Sequence, residues 1–262
     1  MKVLVALAGG GYRALHHLPM LKALKEQGLE IVGISGTSGG AIVATAVAAG
    51  LDDDVIINAM LKDLPLYGMR PSFKGGFLST ICIERLAEKL CPDYKLIEQL
   101  PLPTWVCATD MLTGQPIYFG HGPLGKLVAA SCAVPIIFAP ILYHDYLLVD
   151  GGLTAIVPIV PLQAYKAEKK VPYPIIGLHC NHYPVGKAIT GIRALGERVG
   201  QLVLSRQALQ VSATGCDLFL SPPNAGLGSM LSAKGSLNTL SMTESYANKE
   251  IEKWLVSVQQ IR

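Results

Sequence analysis

A short turn between an apolar strand and an apolar helix constrains this chain most. The run 31–34 (Ile-Val-Gly-Ile) predicts a buried strand, and the alanine- and valine-rich run 41–49 predicts a closely packed helix ending at Gly50. Between them lies Gly36-Thr37-Ser38-Gly39-Gly40, a Gly-x-Ser-x-Gly sequence. Glycines are needed in such a sharp turn because side chains there would clash, and the turn exposes the serine hydroxyl at the positive end of a helix. We therefore interpret Ser38 as a candidate nucleophile rather than as an ordinary loop residue.

A second glycine run, Gly9-Gly10-Gly11, follows the first apolar run of the chain, residues 2–7. Leucines at helical spacing then predict a helix over residues 14–27. The order strand, glycine loop, helix, strand, turn, helix is typical of an α/β fold with a parallel sheet. Because glycine is conformationally free, the amides of this loop can point inward and stabilise an anionic transition state.

Asp150 is the strongest candidate for the base that a serine nucleophile needs. It ends an apolar run, residues 146–149, and precedes Gly151 and Gly152, which allow close approach of backbone and substrate. In an open α/β sheet the reactive crevice lies at the carboxyl ends of the strands, where we predict both Ser38 and Asp150. A turn-forming Asp-Gly pair would explain Asp150 without any chemistry, but its place at a strand end favours a catalytic role.

Length and composition restrict the other function classes. The 262 residues are 50% hydrophobic and 16% charged, which is enough for a large core, and we predict one domain over residues 1–262. A net charge of +3 without a basic, aromatic-rich run argues against nucleic acid as a partner. Six scattered cysteines indicate reduced thiols and predict a cytoplasmic protein. No apolar run approaches the ~20 residues that cross a bilayer, so only transient contact with a membrane surface is expected. Nothing in the sequence sets the oligomeric state.

Together the motifs resemble those of the patatin-like phospholipase family. Gly9-Gly10-Gly11-Tyr12-Arg13 is similar to its Gly-Gly-Gly-x-Arg/Lys oxyanion loop, residues 36–40 to its nucleophile elbow, and Asp150-Gly151-Gly152 to its Asp-Gly-Gly/Ala motif. Residues 108–114 and 130–140 resemble it more weakly. The likeness spans about residues 1–160.

The resemblance implies a three-layer α/β/α fold with a mainly parallel central sheet, and a Ser-Asp dyad with Ser38 as nucleophile and Asp150 as general base. It also implies an oxyanion hole formed by Gly9, Gly10, Gly11 and Gly39. The residues that it implies as supports of the site are Arg13, Gly36, Gly40, Gly151 and Gly152. The implied activity is hydrolysis of acyl esters of phospholipids, lysophospholipids or related lipids through an acyl-enzyme, with no cofactor and no metal.

Two positions depart from the family pattern. Ala14 stands where the family usually has a glycine, which is a conservative change. Residues 153–158 lack the asparagine that often follows the family's Asp-Gly-Gly, which removes one expected support of that loop.

Segment 64–78 is interrupted by several prolines and glycines, and we expect it to be an exposed connection that could fold over a site.

The histidines leave other interpretations of the catalytic base open. His179 and His182 follow an apolar strand and come after Asp150, which is the Ser-Asp-His order of α/β-hydrolases. Acyltransferases that use acyl-carrier protein also combine a serine elbow with a histidine base. In α/β-hydrolases, however, the elbow follows several strands, and here it follows the second, so we predict that both histidines are dispensable. We interpret His16 and His17 as surface or hydrogen-bonded residues. A catalytically silent binding or regulatory module on the same fold is a further alternative.

Two phosphate-binding patterns are incomplete. Gly9-x-Gly11-x-x-Ala14 matches the dinucleotide fingerprint, but no acidic residue ends the second strand. Residues 120–127 resemble a phosphate-binding loop without the Ser or Thr that should follow Lys126. The sequence also contains no HExxH motif or carboxylate cluster that would indicate a metal site.

Overall fold

A computed structural model describes residues 1–63, 72, 76–181, 215–227 and 233–260, and, between 182 and 214, positions 191, 195, 198, 202 and 206–211. The strands in these ranges are β1 Lys2–Leu7, β2 Glu30–Thr37, β3 Gly76–Leu78, β4 Thr104–Asp110, β5 Gln115–Phe119, β6 Ile136–Phe138, β7 Ile141–Tyr143, β8 Tyr146–Asp150, β9 Ile175–Leu178 and β10 Leu218–Leu220. The α-helices are α1 His17–Glu26, α2 Gly39–Ala48, α3 Asp53–Asp63, α4 Ile81–Leu90, α5 Leu124–Ser131, α6 Val160–Lys169, α7 Lys234–Leu237 and α8 Leu240–Gln260. Short 3₁₀ helices cover Gly11–His16, Ile97–Gln99, Gly151–Leu153 and Pro223–Leu227.

A central sheet of eight strands organises the molecule. Its strands β10, β9, β1, β2 and β4 lie side by side in that order and run parallel. Strands β5 and β8 pair with β4 in the antiparallel direction, and β7 pairs antiparallel with β8. The predicted mainly parallel sheet is therefore confirmed. A separate pair, β3 and β6, is parallel.

Helices cover both faces of this sheet, as the alternation of side chains along β1 demonstrates. Val3, Val5 and Leu7 belong to one apolar cluster, which also contains buried residues of α1, α2, α4 and α5. Leu4 and Ala6 point to the other face and join a second cluster with Leu162 of α6. A strand that is buried on both faces reads as a continuous apolar run, which is why the first strand was recognisable. The three-layer α/β/α expectation is confirmed.

Strands β2 and β8 meet end to end along one edge of β4. Strand β5 pairs with β4 from Val106 to Asp110, so it occupies the opposite edge. On the remaining edge, β2 runs in parallel as far as Cys107, and β8 runs in the antiparallel direction down to Ala108. The carboxyl ends of two oppositely directed strands thus abut at adjacent residues of β4. Both candidate residues lie at strand ends as expected, but they meet through this head-to-head arrangement and not through parallel neighbours.

The first helix begins later than the leucine pattern predicts. Residues 11–16 form a 3₁₀ helix, and α1 starts only at His17. Pro19 explains the shift, because a proline fits the first turn of an α-helix but breaks the interior. Starting the α-helix at Ala14 would place Pro19 beyond that first turn.

Two expected segments lie mostly outside the described residues. In the connection 64–78, only position 72 and residues 76–78 are described, and the latter form β3 rather than an irregular connection. The run 188–213, whose sequence also predicts a helix, is described only at positions 191, 195, 198, 202 and 206–211. Within the ranges that the structure describes, no helix combines the length and apolarity needed to span a bilayer.

Candidate active site

Ser38 lies in a strained turn between β2 and α2. Its backbone has φ 52° and ψ −126°, in the positive-φ region that a residue with a Cβ rarely adopts. The turn is closed by glycines: a Cβ on Gly36 would stand 2.4 Å from the Gly40 carbonyl oxygen, and one on Gly40 would stand 2.5 Å from the Ala8 carbonyl oxygen. Only glycine fits at either position, as the elbow interpretation requires.

Ser131 braces this turn from α5. The Ser38 backbone N–H donates to the Ser131 Oγ at 2.8 Å, and the Ser131 hydroxyl in turn donates to the Cys107 carbonyl of β4. Ser131 is fully buried. The weak motif over residues 130–140 therefore contributes a side chain that fixes the elbow to the sheet, a role that its sequence alone does not reveal.

Asp150 faces Ser38 from the end of β8. A side-chain hydrogen bond with Ser38 stabilises its carboxylate, and its Oδ1 also accepts the Gly152 backbone N–H at 2.7 Å. The backbone of Asp150 is fixed as well, since its N–H donates to Ala133 and its carbonyl accepts the Thr109 hydroxyl at 2.9 Å. Only 7% of Asp150 is exposed. The structure thus brings the two predicted catalytic side chains together.

Burial governs the acidity of this carboxyl group. Desolvation raises the pKa of Asp150 from 3.8 to about 6, although the bonds from Ser38 and Gly152 act in the opposite direction. A carboxylate with a pKa near 6 is a stronger base than a solvated one and is still ionised at neutral pH. The environment therefore suits the acceptance of a proton from a neighbouring hydroxyl.

The glycine loop passes directly beside the elbow. A Cβ on Gly9 would stand 3.2 Å from the Ser38 Cβ, and a Cβ on Gly39 would stand 2.4 Å from the Gly11 carbonyl oxygen. The Gly9 N–H donates to Ile156 at 3.0 Å, so this amide is already occupied. In the described part of the chain, the amides of Gly10, Gly11 and Gly39 have no acceptor. Three of the four predicted donors are thus available to a ligand, and Gly9 provides close approach instead.

Two buried side chains support the loop: Asn181, which follows β9, and Arg13, which lies in the 3₁₀ helix directly after the loop. Asn181 Nδ2 donates to the Gly9 carbonyl at 2.5 Å, and Arg13 Nη1 reaches Asn181 Oδ1 at 3.5 Å. Arg13 is 5% exposed and Asn181 1%. Arg13 was expected to hold the loop, whereas Asn181 was not singled out, because no motif marks an asparagine 172 residues from its partner.

The segment after Asp150-Gly151-Gly152 is held although it lacks the family's asparagine. Ser35 Oγ donates to the Pro158 carbonyl at 2.6 Å, and Thr37 Oγ1 donates to the Ala155 carbonyl at 2.8 Å. Gln207 completes the support, since its Oε1 accepts the Ile156 N–H at 3.0 Å. Hydroxyls of β2 therefore bind this loop to the strand that carries the elbow.

Gly151 needs to be a glycine for the same reason as the elbow residues. A Cβ at this position would lie 2.3 Å from the Cys107 carbonyl oxygen and 3.1 Å from the Thr37 Cγ2. The backbone after β8 therefore packs directly against the Cys107 backbone of β4 and the Thr37 side chain of β2. This contact explains the first glycine of the Asp-Gly-Gly motif.

The other weak motif, residues 108–114, closes the hairpin between β4 and β5. The Asp110 carboxylate accepts the Thr113 hydroxyl at 2.7 Å and the backbone N–H groups of Leu112 and Leu147, both at 3.2 Å. The bond from Thr113 is the main reason that the pKa of Asp110 is lowered. Asp110 thus holds the hairpin to the start of β8 and has a structural role.

Three of the described histidines, His16, His17 and His179, are buried, and their hydrogen-bond partners are groups other than Ser38. His179 Nδ1 pairs with Ser221 Oγ at 3.0 Å, and its ring stacks on Phe219. His17 Nε2 bonds the Ala8 carbonyl at 2.8 Å, His16 Nδ1 bonds Thr243 Oγ1 at 2.7 Å, and burial lowers their pKa values to about 3 and about 4. Both are hydrogen-bonded core residues and not surface residues. His182 lies outside the described residues.

The described residues contain no group of three or more His, Cys, Asp or Glu side chains that could hold a metal ion.

A cleft of about 640 Å³ lies at the amino ends of β1 and β9, at the opposite end of the sheet from Ser38, and is lined by Lys2, Tyr173 and Trp254. It plays no part in the site around Ser38.

Fold and site define an α/β protein in which a serine elbow and a buried aspartate meet at the carboxyl ends of two strands, beside a glycine loop. A patatin-like phospholipase family model matches residues 5–162, and the chain belongs to this family.

The chain is also similar to individual proteins and to solved structures. The chain is 33% identical over 216 residues to an uncharacterised NTE family protein of Mycobacterium bovis, a match that covers 79% of this chain and 57% of that protein. It is 27% identical over 175 residues to lysophospholipase NTE1 of Kluyveromyces lactis, covering 60% of this chain and 11% of that one. The chain thus spans little more than half the length of its mycobacterial relative. The structure of VipD from Legionella pneumophila shares the fold with a TM-score of 0.51 at 13% identity, over 98% of this chain and 66% of that chain.

Proposed function

We propose that this protein is a serine acyl hydrolase that cleaves carboxylic esters of phospholipids, lysophospholipids or related lipids with a Ser38-Asp150 dyad. The observation that carries the proposal is the buried Asp150 carboxylate, with a pKa raised to about 6, hydrogen-bonded to a serine in a strained elbow. Membership of the patatin-like phospholipase family and the lysophospholipase relative support lipid esters as the substrate class. Contact with lipid surfaces would be transient, and no cofactor enters the mechanism.

In this mechanism Asp150 accepts the proton of the Ser38 hydroxyl as the oxygen attacks the ester carbonyl carbon. The carbonyl oxygen becomes an oxyanion, which the free amides of Gly10, Gly11 and Gly39 stabilise as donors. Collapse of the tetrahedral intermediate breaks the ester C–O bond, and the proton held by Asp150 passes to the leaving alcohol. Water then attacks the acyl-enzyme with Asp150 again as base, which releases the fatty acid and restores the Ser38 hydroxyl.

The first test is intact mass after treatment with a fluorophosphonate probe. We expect one adduct on the wild type, none on Ser38→Ala, and much slower labelling of Asp150→Asn at equal folded content. His179→Ala serves as the matched control and should be labelled like the wild type. An unlabelled, folded wild type would favour a silent binding module, and loss of labelling in His179→Ala alone would favour a histidine base.

A further inference from the structure

One support of the glycine loop comes from outside residues 5–162, which are the part of the chain that the family model matches. Asn181 follows β9, and β9 lies beside β1 in the sheet. From there its Nδ2 reaches the Gly9 carbonyl at 2.5 Å, in an environment that leaves 1% of the residue exposed. A buried amide group in this position is fixed by its bonds and cannot exchange them for water.

The Gly9 carbonyl and the Gly10 N–H belong to the same peptide group. That group is planar and trans, so its carbonyl and its N–H point in opposite directions. A donor that holds the Gly9 carbonyl therefore also sets the direction of the Gly10 N–H. This amide is one of those that have no acceptor in the described part of the chain. Asn181 thus controls a candidate oxyanion donor without touching the substrate.

The loop is packed tightly on the side of Asn181. A Cβ on Gly10 would stand 2.6 Å from the Cys180 Sγ and 3.0 Å from the Asn181 Oδ1. Arg13 lies on the same side, with its Nη1 at 3.5 Å from that oxygen, longer than a typical hydrogen bond. The peptide cannot shift toward Asn181, and the amide of Asn181 prevents it from rotating away.

We propose that Asn181 is a positioning residue of the reaction, one that orients the Gly9–Gly10 peptide so that the Gly10 N–H faces the developing oxyanion. The inference rests on the proposed function, because it assigns a role in stabilising the same transition state. It adds a requirement that the three family motifs do not contain. A chain with intact motifs but without Asn181 would be a poor catalyst.

The test uses Asn181→Asp in the full chain. The substitution keeps the size of the side chain and an acceptor for Arg13, and it removes the N–H donor to Gly9. With p-nitrophenyl butyrate as substrate, kcat should fall about 10- to 100-fold while KM changes little, since the lost orientation matters most in the transition state. Asn181→Leu, which is similar in size, buries no charge and has no donor, should show the same loss and serves if Asn181→Asp does not fold.

A structural effect is distinguished by active-site titration with the fluorophosphonate probe. A misoriented donor lowers the rate of labelling but leaves the final stoichiometry at one adduct per chain. Partial unfolding instead lowers the final stoichiometry and leaves the rate of the remaining active fraction unchanged. The second pattern, or wild-type kcat in both variants, would overturn the proposal.

Asn224→Asp is the matched control. Asn224 is also a buried asparagine, 6% exposed, whose Nδ2 donates to a backbone carbonyl, that of Thr239, at 2.8 Å. This variant should lose stability but keep the labelling rate and kcat per labelled site, and an equal loss of kcat would also contradict the role of Asn181. If the wild type neither hydrolyses the ester nor reacts with the probe, the proposed function itself fails, a result separate from any difference between variants.

Discussion

At the scale of single residues, the site depends on a few buried hydrogen bonds that hold Ser38 in a strained conformation. Ser38 adopts an unfavourable positive φ, which costs about 1–3 kcal/mol and persists only where neighbours hold it. Ser131 is such a neighbour, because it accepts the Ser38 N–H and donates to β4 at the same time. The sequence marks the candidate nucleophile through its glycines, but it does not mark Ser131, which lies 93 residues away.

Ser131→Ala should therefore affect both stability and reactivity. It leaves the Ser38 N–H and the Cys107 carbonyl without their partner, and we expect the free energy of unfolding to fall by about 1–3 kcal/mol. Fluorophosphonate labelling of Ser38 should slow about 10-fold as the elbow relaxes. Urea unfolding and labelling rates measure the two effects. Ser35→Ala, which removes a buried hydroxyl bonded to Pro158, should lower stability with a smaller effect on labelling, and equal slowing would refute the brace.

The raised pKa of Asp150 predicts the pH dependence of activity. As the proposed base, Asp150 must be ionised, so kcat/KM should rise with pH, pass its midpoint near the pKa of about 6, and level off above it. The pH profile of p-nitrophenyl butyrate hydrolysis measures this. His179→Ala should keep the same midpoint. A midpoint that disappears in His179→Ala would assign the titration to the histidine.

The raised pKa of Asp150 also predicts how stability depends on pH, and the sign is opposite to that expected for a carboxylate in a salt bridge. The folded state binds a proton at Asp150 more tightly than the unfolded chain, so its contribution to stability decreases as pH rises from 3.8 through about 6. Asp150→Asn should therefore be more stable than the wild type at pH 8, by about 2–3 kcal/mol, and similar to it near pH 4.

Urea unfolding at the two pH values provides the check. Asp110→Asn is the control with the opposite sign, because the pKa of Asp110 is lowered in the fold. That variant should be less stable than the wild type at neutral pH and approach it as the pH falls. If Asp150→Asn is destabilised at pH 8 as well, the carboxyl group is not held in a desolvated site.

At the scale of elements, β4 is the template that brings the two candidate catalytic residues together. The sequence predicts that each lies at a strand end, and the structure agrees. It does not predict that β8 is antiparallel, because the apolar run 146–149 is the same whichever way the strand pairs. Strand direction is decided by long-range pairing, and no local pattern encodes it.

Two glycines of β2 test how closely the elements must approach. A Cβ on Gly36 would meet the Gly40 carbonyl oxygen at 2.4 Å, and this backbone cannot yield without opening the elbow. A Cβ on Gly33, three residues earlier, would meet a flexible end of Leu4 at 2.8 Å. Gly36→Ala should lower the free energy of unfolding by more than about 3 kcal/mol, and Gly33→Ala should lower it by about 1 kcal/mol. Urea unfolding measures both changes. Equal costs would show that the elbow tolerates a side chain.

At the scale of the whole molecule, the chain beyond residue 162 completes both the sheet and the glycine loop. Strand β9 pairs with the edge of β1, and α8 packs on α1, where Lys22 and Glu244 form an ion pair at 2.8 Å. The terminal helix is predictable from its amphipathic pattern. Asn181 is not, because its partner is determined by the placement of β9 beside β1, which only the folded sheet reveals.

Residues 1–170 alone should fail to fold cooperatively. Without β9 the edge of β1 is unpaired, and without α8 the apolar face of α1 is exposed. Circular dichroism during urea titration should show no sharp transition, and the fragment should not react with the fluorophosphonate probe. A cooperative transition together with stoichiometric labelling would mean that the family-matched segment is sufficient.

The end-to-end meeting of β2 and β8 has a consequence for how such a molecule can diversify. The distance between Ser38 and Asp150 is set by where two strands end on a shared neighbour, and it does not depend on the length of the connection between them along the chain. Insertions in the connecting loops between residues 49 and 123 that spare β4 and β5 leave Ser38 and Asp150 in place. Evolution can therefore change the length of these loops while Ser38 and Asp150 keep their relative position, which makes the proposed dyad a fixed point around which new specificities can arise.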